Sequence, residues 1–332
     1  MLKVGLLGAG RIGNVHAEAI AAHRGSALVA VSDAFAQNAE KLAATFDIAV
    51  AETQAILDDP DIDAVVIATP TDTHSDLIEA ACARGKAVFC EKPVDLDLAR
   101  AKACMANVAD SDVPVMVAFN RRFDPNFAAM KSGIAAGEIG KPELLSITSF
   151  DPAPPPVSYV KESGGLFRDM MIHDFDMSHF LMGELPRSVH AVGSSIVEPA
   201  IGAAGDIDTA VVTLSYGDGR IAVIKNSRRA VFGYDQRAEV LGSEGMLQVG
   251  NVLENTLVKS TQAGVTGAKP TYFFLERYMP AYKAEWASFV EAVTTQTPVP
   301  VSLADGVAAL ALAEAATQSL HRGVPQELAD FL

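Results

Sequence analysis

Three groups of residues in this 332-residue chain have the types and spacing to do chemistry. Lys92 stands in Glu91-Lys92-Pro93. Asp169 and His173 stand four apart in Gly164-Gly165-Leu166-Phe167-Arg168-Asp169-Met170-Met171-Ile172-His173. Gly8-Ala9-Gly10-Arg11-Ile12-Gly13 follows an apolar start. A protonated amine stabilises a developing alkoxide, an imidazole exchanges a proton near neutral pH, and a carboxylate beside the ring holds its tautomer. A turn rich in glycine lets backbone N–H groups approach a pyrophosphate. The set suits proton transfer coupled to a dinucleotide. Spacing alone leaves two alternatives for Asp169 and His173: a helix-surface pair, or a metal site completed by Asp176 and His179. A nicotinamide enzyme with a positioned lysine needs no Lewis acid, so no metal is expected.

The elements that must position these residues are legible in the pattern. Leu2 to Leu7 reads as a strand, Gly8 to Gly13 as a turn, and Ile12, Val15, Ala19 and Ile20 as one face of a helix. A second strand, Leu28 to Val31, leads to Asp33, about twenty residues after Gly13, where a dinucleotide fingerprint carries its ribose-binding acid. The alternation continues: strand Ala64–Ala68, helix Asp72–Arg84, strand Ala87–Cys90, helix Leu96–Val108, strand Val115–Phe119. Residues 1–120 are therefore expected to form an α/β Rossmann domain, a doubly wound parallel sheet. Ligands of such sheets lie beyond the carboxyl ends of the strands. That rule makes candidates of Thr69-Pro70-Thr71, Glu91-Lys92-Pro93 and Asn120-Arg121-Arg122, with His74 on the first turn of the next helix. Thr69 and Thr71 also fit as plain turn residues ahead of a helix capped by Asp72. The expected cofactor contacts are Gly8, Gly10, Arg11, Ile12, Gly13, Asp33, Thr69, Pro70, Thr71, His74, Glu91, Lys92 and Asn120.

Beyond Asn120 the alternation stops, and residues 121–332 are expected to form an α+β domain with a large open, mostly antiparallel sheet. A helical stretch at Pro125–Ser132 precedes strand Leu144–Phe150 and the stiff loop Asp151-Pro152-Ala153-Pro154-Pro155-Pro156. The stretch from Gly164 to Met177 reads as one helix carrying Asp169 and His173 on a shared face. Strands follow at Ser188–Val197, Thr209–Tyr216, Arg220–Lys225, Ala238–Leu241, Met246–Val249 and Leu253–Lys259, then helices at Tyr282–Thr294 and Leu303–His321.

Composition narrows the function class. A net charge of -15 disfavours nucleic acid and suits a small neutral substrate better than an anionic one. No apolar run approaches the ~18 residues of a membrane span. Met1 to Leu7 leads straight into the glycine turn and leaves no room for a secretory leader, so a cytoplasmic chain is expected, its three cysteines reduced.

With these residues placed, the chain resembles the glucose-fructose oxidoreductase / inositol dehydrogenase / rhizopine-catabolism family (Gfo/Idh/MocA) over essentially its whole length. The likeness rests on the glycine turn, Ala68-Thr69-Pro70-Thr71 with His74, Glu91-Lys92-Pro93, and Gly164-Gly165 leading to Asp169 and His173. It implies a Rossmann domain followed by an open-sheet domain, NAD as cofactor, a cis Lys92–Pro93 bond, a homotetramer, and catalytic roles for Lys92, Asp169 and His173. Phe119-Asn120-Arg121-Arg122-Phe123-Asp124, the loop from Asp151 to Tyr159 and Gly233-Tyr234-Asp235 are most similar to the family's inositol 2-dehydrogenase branch. That likeness implies a substrate pocket of Lys92, Arg121, Asp151, Asp169, His173 and Tyr234, and oxidation of an inositol hydroxyl. By residue type alone, Arg121 also fits a structural ion pair and Tyr234 a core aromatic. Another polyol or sugar dehydrogenase, an NAD-using glycosidase and a non-enzymatic dinucleotide-binding regulator are the alternatives.

Overall fold

The computed structural model describes residues 1–332, apart from the side chain of Lys161. The chain divides into two compact units. Met1–Phe123 joins Met279–Leu310 in the first, and Asp124–Tyr278 joins Ala311–Leu332 in the second.

The first unit is built on six parallel strands: β1 (Leu2–Leu7), β2 (Ser26–Ser32), β3 (Ala49–Val50), β4 (Ala64–Ile67), β5 (Ala87–Cys90) and β6 (Val115–Val117), in the order β3-β2-β1-β4-β5-β6. Every residue of β4 and β5 is buried, because helices cover both faces of a parallel sheet. That is why these strands read as unbroken apolar runs. The order reverses between β1 and β4, which opens a crevice beyond the carboxyl ends of the strands.

Met279–Leu310 belongs to this unit, whereas the sequence pattern groups all of 121–332 together. Its helix, Phe274–Thr295, supplies Trp286, fully buried, with its ring edge-on to Phe89 at 5.6 Å and its indole N–H donating to Ser26 Oγ at 2.9 Å. Farther on, Val117 N donates to the Val301 carbonyl at 3.2 Å, which covers the edge strand β6. Helical periodicity reports which face is apolar but not which sheet that face covers.

The second unit carries a seven-stranded sheet from β7 (Pro142–Phe150), β8 (Ser188–Ser194), β9 (Thr209–Ser215), β10 (Ile221–Ser227), β11 (Asp235–Gly242), β12 (Gly245–Val249) and a short last strand, in the order β12-β11-β7-β10-β9-β8-β15. A separate hairpin of β13 (Val258–Thr261) and β14 (Gly264–Gly267) stands between, and β15 is Gln326–Glu327. The sheet is antiparallel except at one seam, where β7 and β10 run parallel. One face alternates into the core. The other carries the exposed side chains Leu144, Val192, Val211, Ile221, Leu241 and Met246.

Two expectations are corrected here. Leu253–Lys259 is not one strand: Leu253 makes an isolated bridge to Pro270, and pairing begins at Val258. The stretch from Gly164 to Met177 is not one helix. It breaks into Gly165–Asp169 and Ile172–Met182, because the Leu166 carbonyl accepts from both Met170 N (3.0 Å) and Met171 N (2.9 Å), which closes the first helix.

Trp286→Ala is expected to cost about 3–5 kcal/mol of stability, the usual scale for emptying a buried aromatic site. Urea unfolding measures it, and a cost below about 1 kcal/mol would mean that the tryptophan is not core.

Candidate active site

The first half of the site is built at the mouth of the parallel sheet. Gly8 has φ +99°, and a side chain on it would strike the Ala68 carbonyl; one on Gly13 would strike the Gly8 carbonyl oxygen. A Cβ on Gly10 would meet nothing within 4 Å, so the turn is tight behind and open in front. Gly10 starts the helix Arg11–Ala22 with no side-chain cap, which leaves the positive helix end and its first N–H groups facing that opening. Asn14 Nδ2 braces the turn through the carbonyls of Ala9 (3.0 Å) and Gly10 (2.8 Å). Asp33 lies just past β2, its Oδ2 accepting from Ala9 N at 2.7 Å and its Oδ1 from Phe35 N at 2.8 Å. Asn38 Nδ2 also donates to Oδ1 at 3.3 Å, and since a carboxylate has about four acceptor positions, room for a ribose hydroxyl remains. These residues fit a dinucleotide: an open cradle for pyrophosphate, and a fixed acid one strand away.

Lys92 is mounted at the end of β5. Its own backbone N–H donates to Glu91 Oε2 at 3.2 Å, while Glu91 Oε1 lies 2.7 Å from His16 Nε2 on the helix Arg11–Ala22. Both His16 and Glu91 are buried. Burial pushes the Glu91 carboxyl up. The hydrogen bond from His16 and the charges of His16, Lys92 and His74 outweigh it, and the carboxyl sits below the ordinary glutamate value. The Lys92–Pro93 bond is cis. His74, almost fully buried, sets Nδ1 2.8 Å from the Pro93 carbonyl and Nε2 2.9 Å from the Thr69 carbonyl. The sequence pattern assigns His74 and Glu91 to cofactor contact. Here both brace the lysine's mount, because their polar atoms meet groups of the same unit.

The remaining strand-end candidates are sorted in the same way. The Thr69 and Thr73 hydroxyls lie 2.7 Å apart, and Thr73 Oγ1 donates to the Pro70 carbonyl at 2.7 Å. Thr71 opens a short 3-10 turn, Thr71–Thr73, and Asp72 caps nothing. Asn120 and Arg121 are buried in the turn after β6, and Arg122 pairs with Asp305 at 3.0 Å. Arg11 is exposed and Ile12 half-buried at the start of their helix.

In the second unit, Asp169 ends one short helix and His173 lies in the first turn of the next. The approach is fixed by Asp206, which accepts from Leu166 N at 3.1 Å and lies where a Cβ on Gly165 would be, 2.6 Å from its Oδ1. Asp169 Oδ1 accepts from the Tyr159 hydroxyl at 2.9 Å, and Oδ2 from Arg228 Nη2 at 3.3 Å. Arg228 Nη1 lies 3.9 Å from Asp151 Oδ2. Tyr234 is buried, its ring perpendicular to that of Tyr278 with centroids 6.0 Å apart. Arg228, Tyr159, Asp206 and His16 are the functional neighbours that sequence reasoning did not select. Tyr159 lies in the loop quoted for the family likeness; the other three carry no local signal.

Residues 2–119 match the oxidoreductase family GFO_IDH_MocA, NAD-binding Rossmann fold, and residues 127–248 match the GFO/IDH/MocA C-terminal domain. An inositol 2-dehydrogenase of Rhizobium meliloti is 50% identical over 96% of this chain and 97% of its own. The crystal structure of a myo-inositol dehydrogenase from Corynebacterium glutamicum superposes with a TM-score of 0.95 at 43% identity, covering 99% of both chains. That of a myo-inositol dehydrogenase from Lactobacillus casei, in complex with NAD(H) and myo-inositol, does so with a TM-score of 0.89 at 27% identity, covering 98% of this chain and 96% of that one.

The lowered Glu91 carboxyl has a consequence for stability. A folded-state pKa below the unfolded value of about 4.5 contributes stability that is present above that pH and lost as pH falls through the folded value. Glu91→Gln is therefore expected to unfold at lower urea than wild type at pH 7, with the gap closing as pH drops below about 4.5. A gap that stays constant down to pH 3 would mean that the carboxylate's charge contributes nothing.

Proposed function

The chain belongs to the GFO/IDH/MocA oxidoreductase family, and from that membership we propose that it is an NAD-dependent inositol 2-dehydrogenase. It oxidises the axial hydroxyl of myo-inositol to 2-keto-myo-inositol, with the hydroxyl proton passing to His173. Bound NAD would supply the hydride acceptor for the carbinol carbon. The observation that carries the reading is Lys92 on its buried mount at a Rossmann strand end, in a chain that also holds Asp169 by both oxygens just before His173.

The roles follow from acid–base chemistry. A carbinol gives up hydride most readily while its hydroxyl loses a proton, so the reaction needs one base and one group that stabilises the alkoxide. An imidazole titrates near ~6.5 and suits the first role, with Asp169 orienting it. An ammonium group suits the second: Lys92 donates to the alkoxide oxygen without first losing its proton. Arg121, Asp151 and Tyr234 complete the substrate contacts in this reading. Gly8, Gly10 and Gly13 hold the pyrophosphate. Asp33 accepts ribose hydroxyls and repels a 2'-phosphate, which favours NAD over NADP.

We place the enzyme in the cytoplasm, in inositol breakdown, as a homotetramer. Support comes from three buried free cysteines, from the absence among the described residues of any helix long and apolar enough to cross a membrane, and from the exposed apolar side chains on the open sheet face. Sedimentation at micromolar concentration tests the assembly, and a single species of 34.9 kDa would refute it.

His173→Ala and Lys92→Ala are each expected to lower kcat with myo-inositol by at least ~100-fold, the scale of acid–base and electrostatic groups, while NAD affinity changes far less. NADH should accumulate steadily, and the acidic limb of the kcat/KM pH profile should vanish in His173→Ala. Survival of that limb in His173→Ala, with its loss in Lys92→Met, would reverse the two roles. Inertness toward inositols alongside turnover of another sugar would replace the substrate.

A further inference from the structure

We infer that Arg228 is a positioning residue of the reaction: it fixes the Asp169 carboxylate that in turn orients His173. The inference rests on the reading of Asp169 and His173 as an acid–base pair.

The placement begins with the one parallel seam of the second sheet. Phe150, the last residue of β7, pairs with Ser227, the last of β10. Because the strands run the same way, the chain leaves both at the same end. Asp151 N donates to the Ser227 carbonyl at 2.9 Å, and Ala230 N to the Asp151 carbonyl at 2.6 Å. Asp151 and Arg228, each one residue past its strand, are thereby set side by side. Arg228 N donates to the Asp208 carbonyl at 2.8 Å, which fixes the backbone from which the guanidinium reaches out.

The guanidinium spans the two acids. Its side chain is only 2% exposed, with Nη2 on Asp169 Oδ2 at 3.3 Å and Nη1 3.9 Å from Asp151 Oδ2. Tyr159 holds the other oxygen of Asp169. Two donors on the two oxygens of one carboxylate fix both its position and the plane in which it lies. A planar fork reaches two acceptors at once, whereas an ammonium group acts as a single point charge. Stability does not explain the arrangement: buried ion pairs recover little beyond their desolvation, and Arg228 Nε is buried with no hydrogen-bond partner among the described residues. A buried cation that adds little to stability, and that grips the acid four residues before the base, is better accounted for by orientation.

A double-mutant cycle tests this. The variants are Arg228→Lys, Arg228→Met, Asp169→Asn and the doubles, assayed with myo-inositol and NAD. Rates are expressed per NADH-binding site titrated by fluorescence, so that loss of folded protein does not mimic loss of turnover. Arg228→Lys keeps a buried positive charge and serves if the methionine variant does not fold. Arg228→Lys is expected to lower kcat by ~10-fold or more with KM within ~3-fold, and to cost no more than ~2-fold further in the Asp169→Asn background, since residues acting through one another are not additive. An unchanged kcat, an equal loss in both backgrounds, or a loss carried mainly by KM would each overturn the inference. A wild-type chain inert toward every polyol overturns the proposed function, and this inference with it, before any variant is compared.

Discussion

The approach of Gly13 to the Gly8 carbonyl sets the geometry of the whole first unit. No side chain fits between them, so the helix Arg11–Ala22 can start hard against the end of β1. Its N-terminal N–H groups then open forward past Gly10. One turn later the same helix carries His16 to within 2.7 Å of Glu91. Glu91 accepts the backbone N–H of Lys92, so the position of the lysine traces back through a carboxylate and an imidazole to a contact between two glycines. A helix displaced by one methyl group would move both the glycine turn and the mount of Lys92. Loop, helix and lysine are therefore one device.

The second unit solves the same problem of aiming polar groups with different means. It has no glycine fingerprint; it has a parallel seam, a broken helix and a set of acids used as anchors. Asp206 fixes the entry to Gly165–Asp169, Asp124 caps the helix Pro125–Ala135 and pairs with the buried Arg277, and Asp174 accepts from Asn226 at 2.8 Å inside the core. Each anchored carboxylate is matched by a donor from another element, as burial of charge demands. Against that background Arg228 differs, because the carboxylates it serves stand at the carboxyl ends of strands or helices rather than in the core.

How much of this was legible depends on whether the signal was local. The glycine turn, Asp33, five of the six parallel strands and the lysine after β5 are written in short windows of residue type and period, whereas the two-residue edge strand β3 is too short to show a pattern. The broken helix was not legible: apolar periodicity runs through Met170 and Met171, and only the hydrogen bonds to the Leu166 carbonyl reveal the break. Asp169 ends the first of these helices and His173 lies in the first turn of the second. The pairing of β7 with β10 was invisible for a different reason. Consecutive strands joined by turns read as antiparallel, and nothing in either strand announces a partner far away in the chain. Arg228 and His16 were missed with it, since each matters only through the element that it meets.

The same partnerships bear on substrate charge. In the second unit two acids, Asp151 and Asp169, flank one buried arginine, so the charge of Arg228 is already balanced before any substrate carboxylate arrives. A sugar acid would bring a third negative charge to that end and find its natural partner already engaged. A hydroxyl brings a donor that carboxylate oxygens accept. In the proposed reaction positive charge is needed only when the alkoxide forms, and an ammonium group interacts more strongly with that anion than with the neutral alcohol, which is what lowers a barrier rather than merely tightening binding. Two acids balanced by one buried arginine favour a neutral ligand over an anionic one at that end of the second unit, by the electrostatics of the ground state alone.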